Sequence, residues 1–183
     1  GTSRKGVVIW ELETGRIQTS LSGHDDMVEY VAHSPDGKTL VSSGWDKTIK
    51  IWDLDAPALR QTLTGHEEFV YSVAISSDGS ILASGSKDET VKIWDLGTGE
   101  LKQTLTEGHR DAITVVAISP DGKTLVSGGN DRRVNVWDLA TGELRQTLRE
   151  HKWGINDLEF TPDGSTFISA DGKGAVHIWS VAP

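Results

Sequence analysis

The chain contains no cysteine. Disulfides and thiolate metal sites are thereby excluded, although that absence does not fix a compartment. Long apolar runs are missing as well: nothing approaches the roughly 18 unbroken apolar residues of a membrane span. The opening GTSRKG is polar and leads into a short strand-like run, unlike a secretion signal. Basic residues are scarce, with 18 Lys and Arg against 27 Asp and Glu and a formal net charge of −9. Nucleic-acid binders usually carry a basic footprint; here the balance is reversed and reads as a solubility charge. Neither a nucleic acid nor a membrane is an expected partner, and a cytoplasmic location is the expectation. No His, Asp and Glu cluster has metal-ligand spacing, and the Asp-rich turns lack the calcium-loop pattern. "DGKT" at 36–39 and 121–124 lacks the earlier glycine of a phosphate loop, whose place is held by Ala32 or Ala117. No metal and no cofactor is expected.

Tryptophan, by contrast, is regularly placed. Trp10, Trp52, Trp94, Trp137 and Trp179 are spaced by 42, 42, 43 and 42 residues, and His24, His66, His109 and His151 by 42, 43 and 42. The extra residue of the third interval sits at Glu107, in "LTEGH" against "LTGH". "SPDGKTL", "SSDGSIL", "SPDGKTL" and "TPDGSTF" recur with the same period. Such self-similarity marks a repeat architecture. Each unit reads as four short strands. The first is "VEYVAH" (28–33), "VYSVAI" (70–75), "ITVVAI" (113–118) or "INDLEF" (155–160). An Asp-Gly turn leads to a second, such as "TLVSS"; the third ends in the periodic Trp, as in "TIKIW"; the fourth is "IQTSL", "LRQTL", "LKQTL" or "LRQTL". These runs are rich in β-branched residues, with turn signals about every ten residues. Helical repeats of similar period would need a 3.6-residue apolar spacing and are excluded.

The Gly-His start, the "SPDG" turn and the Trp-Asp end, together with "SGSKDETVKIWD" at 84–95, carry a resemblance to the WD40-repeat β-propeller family, with near-consensus repeats of bacterial type, across essentially the whole chain. The resemblance implies an all-β fold of four-stranded antiparallel blades around a central channel, here an arc of about four blades forming a partial ring. In a single propeller segment spanning 1–183, residues 1–22 would supply the third and fourth strands of an incomplete blade. Residues 23–64, 65–106, 107–149 and 150–183 would form repeats 1 to 4, the last without its fourth strand.

His24, Ser42, Asp46 and Trp52 recur as His66, Ser84, Asp88 and Trp94, and again as His109, Ser127, Asp131 and Trp137. Ser, His and Asp together suggest a hydrolase, but a catalytic constellation has no reason to occur three times at one spacing. The family resemblance implies instead a buried hydrogen-bond chain that ties the strands together, and no enzyme activity. In the fourth repeat His151, Ser169 and Trp179 align, but the Asp position is Lys173 and Asp171 lies two residues early. This blade is expected to lack the complete chain and to be the loosest. His33 stands where other repeats have Ile75, Ile118 and Phe160, and reads as a hydrogen-bonded core or inter-blade histidine.

Trp45 lies outside the period. Its counterparts are Lys87, Asn130 and Gly172, a range that no inward position tolerates, so its side chain is expected to face solvent. In the resembling family this position lies on the rim of the channel face, with the variable residues after each His. Met27, Glu29, Trp45, Phe69, Tyr71, Lys87, Thr114, Asn130, Trp153 and Asn156 are therefore candidate partner-binding residues. Met27, Trp45, Phe69 and Tyr71 are expected to form one apolar patch bordered by Asp25, Asp26, Glu67 and Glu68. Such a patch suits a protein or peptide with basic and apolar groups. The alternative is that Trp45 lies flat over its neighbouring blade.

The strand inventory leaves the ring open, with four first, four second, five third and four fourth strands. An open arc leaves sheet edges and apolar blade faces uncovered. Gly1 aligns with Gly85, at the end of a second strand. Two readings follow. The chain is the C-terminal part of a larger propeller, or two copies assemble into an eight-bladed ring, each lending its first fourth strand to the other. The expected function is a non-catalytic protein–protein interaction scaffold. The alternative is a sensor or regulatory propeller module of a multidomain effector protein, and fold-level analogy does not separate the two.

Overall fold

The computed structural model describes residues 5–181. β1 (Gly6–Glu11) and β2 (Arg16–Ser22) pair as an antiparallel hairpin. Three four-stranded antiparallel sheets follow, each paired in chain order. They are β3 (Val28–His33), β4 (Thr39–Gly44), β5 (Ile49–Asp53) and β6 (Ala58–Leu63); then β7 (Val70–Ile75), β8 (Ile81–Ser86), β9 (Val91–Asp95) and β10 (Leu101–Leu105); then β11 (Ile113–Ile118), β12 (Thr124–Gly129), β13 (Val134–Asp138) and β14 (Leu144–Leu148). β15 (Ile155–Phe160), β16 (Thr166–Asp171) and β17 (Val176–Ser180) form a three-stranded sheet. The fold is all-β, and its four-stranded sheets are propeller blades in an open arrangement. Gly1, aligned with Gly85 by sequence, lies outside the described residues.

The first two strands of each blade are joined by the Asp-Gly turn. Gly37, Gly79, Gly122 and Gly164 sit there in the left-handed region, with φ between 69° and 72°, which glycine enters without steric cost. The preceding Asp accepts the backbone N–H two residues on: Lys38 to Asp36, Ser80 to Asp78, Lys123 to Asp121 and Ser165 to Asp163. The turn thereby fixes the register that sends alternate side chains to opposite faces of the blade.

Both faces of a blade are apolar, and the core lies between blades. Val41, Ile49, Ile51 and Leu63 of the first blade pack with Val70, Val73, Leu82 and Trp94 of the second. Val91, Ile93 and Leu105 pack in the same way with Ile113, Val116, Leu125 and Trp137, and Val126 and Val134 with Ile155, Leu158 and Phe167. Trp94 and Trp137 thus bury their rings against the preceding blade. The outer faces of the arc show the converse. Val31 is 46% exposed although its counterpart Val73 is 2% exposed. Ile178 is 71% exposed although its counterpart Ile51 is fully buried.

The joint between blades is tightest where β8 and β12 carry glycine. A Cβ on Gly85 would stand 2.7 Å from Ile113 Cγ2, and one on Gly128 2.6 Å from Ile155 Cγ2. Ser43 holds the equivalent place in β4, opposite Tyr30, where the next blade presents the smaller Val70. Its buried hydroxyl has no hydrogen-bond partner among the described residues. Gly128→Ala is therefore expected to lower stability by about 1–3 kcal/mol through overpacking. Ser43→Ala is expected to raise it by about 1 kcal/mol, by removing a buried hydroxyl that lacks a partner. Urea unfolding of the two variants checks both signs.

Candidate functional site

In the first blade, Trp52 Nε1–H donates to Ser42 Oγ at 2.8 Å, Ser42 Oγ lies 2.7 Å from His24 Nε2, and His24 Nδ1 lies 2.8 Å from Asp46 Oδ2. One proton arrangement satisfies every group. The serine accepts from the indole and donates to Nε2, and the neutral imidazole, protonated at Nδ1, donates to the carboxylate. Asp46 Oδ1 accepts from the Thr48 N–H and hydroxyl, and its Oδ2 also takes the Asp25 N–H. A single chain of bonds therefore links β5, β4, the loop before β3 and the turn after β4. The second blade repeats it through Trp94, Ser84, His66 and Asp88 at 2.9, 2.8 and 2.7 Å. The third uses Trp137, Ser127, His109 and Asp131 at 2.8, 2.8 and 3.1 Å.

The fourth blade overturns the expectation of an incomplete chain. Trp179 Nε1–H donates to Ser169 Oγ at 2.8 Å, Ser169 Oγ lies 2.6 Å from His151 Nε2, and His151 Nδ1 lies 3.1 Å from Asp171 Oδ2. Asp171 pairs with Ile155 at the register position that Gly44, Ser86 and Gly129 hold elsewhere. That position abuts the histidine: a Cβ on Gly44 would stand 3.3 Å from His24 Nδ1, and one on Gly129 3.1 Å from His109 Nδ1. A carboxylate placed there reaches the ring directly. Its Oδ1 still closes the turn, accepting the Lys173 and Ala175 N–H groups. Looseness of this blade therefore does not follow from its polar network. What distinguishes the blade is that Trp179 is only half-buried beside an edge that has no fourth strand among the described residues.

The rim residues divide into separate groups. Trp45 is half-buried rather than solvent-facing. Its ring stacks flat on Phe69 of the next blade, with centroids 4.9 Å apart and planes 6° apart, and its Nε1–H donates to Glu29 Oε2 at 2.9 Å. Two of the four counterparts meet the neighbouring blade, Trp45 at Phe69 and Asn130 at Gly154. Tyr71 sets its edge on Phe69, with centroids 6.4 Å apart, and Lys87 Nζ stands 4.9 Å over the same ring. Lys47 Nζ bonds the Glu67 carbonyl and lies 3.5 Å from Glu68 Oε1. Met27 is not in this group; it lines a groove on the other side of its blade with Val7 and Tyr30. Thr114 donates across a joint to the Ile155 carbonyl, Asn130 stands against Gly154, and Asn156 stands beside Gly172. Trp153 is exposed at the far end of the arc, under Lys173 Nζ at 5.2 Å.

His33 is likewise placed differently from its expected core position. It is exposed, with Nδ1 3.0 Å from the Ser34 carbonyl oxygen. The position lines the concave inner wall formed by the first strands, where Ile75, Ile118 and Phe160 are themselves only half-buried. Two contacts had no signal in the repeat pattern. His177 packs edge-on against His151 with centroids 4.4 Å apart, and Lys173 covers Trp153. Asp171 was visible in sequence, but its role depends on a register that only the paired strands display.

Antiparallel blades that share cores with their neighbours and repeat one buried polar chain define a repeat protein of the β-propeller class. Residues 15–53, 58–95, 99–138 and 142–180 match the WD40 family, "WD domain, G-beta repeat", and the chain belongs to that family. Each matched segment opens near the fourth strand of one blade and ends with the third strand of the next. Among curated proteins, the chain is similar to "Periodic tryptophan protein 2 homolog" of Neurospora crassa, 43% identical over 23% of this chain and 5% of that protein. It is similar to "Periodic tryptophan protein 2" of Saccharomyces cerevisiae, 38% identical over the same shares. It is also similar to "Protein FIZZY-RELATED 1" of Arabidopsis thaliana, 36% identical over 27% of this chain and 10% of that protein. The matched stretches are thus a small part of each relative.

The relocated carboxylate gives a direct contrast. Asp171→Ala is expected to cost about 1–3 kcal/mol, because it leaves buried His151 without its acceptor. Lys173→Ala, at the aligned position, should stay within about 0.5 kcal/mol. Thermal unfolding of the pair checks this.

Acid sensitivity follows from the same groups. Burial disfavours the imidazolium and lowers the His24 pKa from 6.5. For Asp46 burial works in the opposite sense, but the Thr48, Asp25 and His24 donors outweigh it and hold the pKa below 3.8. Stability linked to His24 is complete above about pH 6.5 and is lost as pH falls below that value; the Asp46 contribution is lost in turn below about pH 3.8. Melting temperature is therefore expected to be flat above neutrality, to decline from about pH 6.5 and to fall further below about pH 3.8. A pH series of unfolding curves checks it, and a rise in stability on acidification would contradict the proton arrangement.

Proposed function

We propose that the chain is a non-catalytic protein-interaction scaffold whose contact surface is the rim between its first two blades. The observation that carries this reading is the Trp45–Phe69 stack with Tyr71 at its edge. It is an aromatic platform bridging two blades, with carboxylates at Glu29 and Glu68 beside it. Aromatic groups of this kind are typical anchors of protein contacts. The surrounding acidic residues favour a peptide or protein segment with basic and apolar side chains. The Ser-His-Asp sets speak against hydrolysis. Ser42, Ser84 and Ser127 are fully buried, and each oxygen accepts an indole N–H while its hydroxyl faces a histidine, so it has no open path to a substrate.

The uncovered apolar faces at Val31 and Ile178 favour a second reading, compatible with the first: further blades cover them, from the rest of a larger propeller or from a second copy.

The rim reading is tested with basic, apolar peptides selected against the chain. Trp45→Ala is expected to weaken their binding by about 2 kcal/mol while costing about 1 kcal/mol of stability through the lost stack. Trp52→Ala, which empties a core site, should cost about 3–5 kcal/mol of stability. Unchanged peptide affinity in a folded Trp45→Ala variant would contradict the rim as the contact surface.

A further inference from the structure

We propose that the open side of the last blade is covered by a second copy of this chain, which adds its β2 to β17 and seats its β3 face against the blade. The inference rests on the reading that further blades cover the two end faces, and names their occupant.

Among the described residues no strand pairs with the outer edge of β17. β17 and β1 are strands of one kind: Val176, Ile178 and Trp179 correspond to Val7, Ile9 and Trp10. β2 pairs with β1 by placing Leu21 opposite Val7, Ser20 opposite Val8, Thr19 opposite Ile9 and, after a register shift, Ile17 opposite Trp10. Fourth strands use the same register in complete blades, where Leu63, Thr62, Gln61 and Leu59 face Ile49, Lys50, Ile51 and Trp52. Transferred to β17, β2 sets Leu21 against Val176, Ser20 against His177, Thr19 against Ile178 and Ile17 against Trp179.

β17 is the better seat for β2. With β1 it forms only a two-stranded sheet in which Trp10 remains 59% exposed, and an isolated hairpin is marginally stable. β17 already has β16 and β15 behind it, and Trp179 is already bonded to Ser169. The residue facing the fourth-strand hydroxyl is polar and bonded in every complete blade: Lys50 to Thr62, Lys92 to Thr104, and Thr147 to Asn135. β17 offers His177 to Ser20, where β1 offers Val8.

The two end faces also fit each other. At the joints a small residue on a second strand meets an aliphatic one on the next first strand, Gly85 with Ile113 and Gly128 with Ile155. Ala170 and Val28 hold those positions at the two ends of the arc. At the rim, Asn130 meets Gly154; Gly172 and Met27 would meet in the same way, small against large. The association is head-to-tail, and two such joints close on two copies.

The chain has no cysteine, so an engineered pair reports without background. Directly opposite residues of antiparallel strands stand roughly 4.5–5.5 Å apart, within disulfide reach. Thr19→Cys with Ile178→Cys is expected to give, on mild oxidation, two cross-linked chains with twice the 19.8 kDa chain mass by light scattering. Ile9→Cys with Thr19→Cys, which locks β2 onto β1, is expected to remain a monomer; a locked variant that still forms the pair overturns strand exchange. A Thr19–Ile178 cross-link within one chain overturns the second copy, and larger cross-linked species overturn closure by two. An assembly without this cross-link overturns the exchange but leaves the covered-face reading standing, whereas an uncross-linked monomer overturns the second copy altogether and leaves only the rest of a larger propeller to cover the two faces.

Discussion

A single blade of this protein has no inside. Its two faces are both apolar, and each becomes core only when another blade lies against it. Ile51 and Val41 are buried by Val70 and Val73 across a joint, and Trp94 completes the same cluster from the third strand of its own sheet. Stability in such an array is a sum of blade terms and nearest-neighbour joint terms, and here the joints hold most of the apolar burial. The exposed Val31 and Ile178 are the same residues by position with that neighbour taken away. The small residues at the joints, Gly85 and Gly128, follow from the same requirement, because they let the next first strand approach.

The buried polar chain serves a different purpose. Packing alone would let the strands of a uniformly apolar blade shift past one another, whereas a bond path from Trp52 through Ser42 and His24 to Asp46 admits one register and one turn geometry within the blade. The fourth blade shows what that path requires. The carboxylate must reach Nδ1 and must close the turn with its other oxygen; which residue carries it matters less. Asp171 meets both conditions from a position two residues earlier, and Gly174 accepts the left-handed turn conformation that Lys47, Glu89 and Arg132 adopt with a side chain.

Much of the fold was legible because the period was. A 42-residue recurrence of Trp, His and Asp-Gly places every strand from β3 to β17, and the surplus third strand at Val7–Trp10 announces the open arc. Misreadings occurred where meaning depends on contacts across a joint or a hairpin. Alignment made Lys173 the missing Asp, since it counts residues along the chain rather than partners across β15 and β16. It made His33 a core residue because Ile75 and Phe160 are apolar, although that row lines the inner wall. By sequence Trp45 reads as solvent-facing because its counterparts differ so widely. In the structure Trp45 meets Phe69 of the facing blade and Asn130 meets a glycine there, while Lys87 covers a ring of its own blade. The grouping of Met27 with Trp45 failed for the same reason, as each rim residue belongs to a joint and the two lie on opposite sides of one blade.

The central claim is that protection from unfolding comes from having a blade on each side. Amide hydrogen exchange followed strand by strand measures this most directly. The account predicts the slowest exchange in β8, β9 and β12, which are flanked by blades on both faces, with nearly common rates because they open together. It predicts exchange at least about tenfold faster in β1, which has one partner strand and exposed Val8 and Trp10. Protection of β1 equal to that of β9 would contradict it.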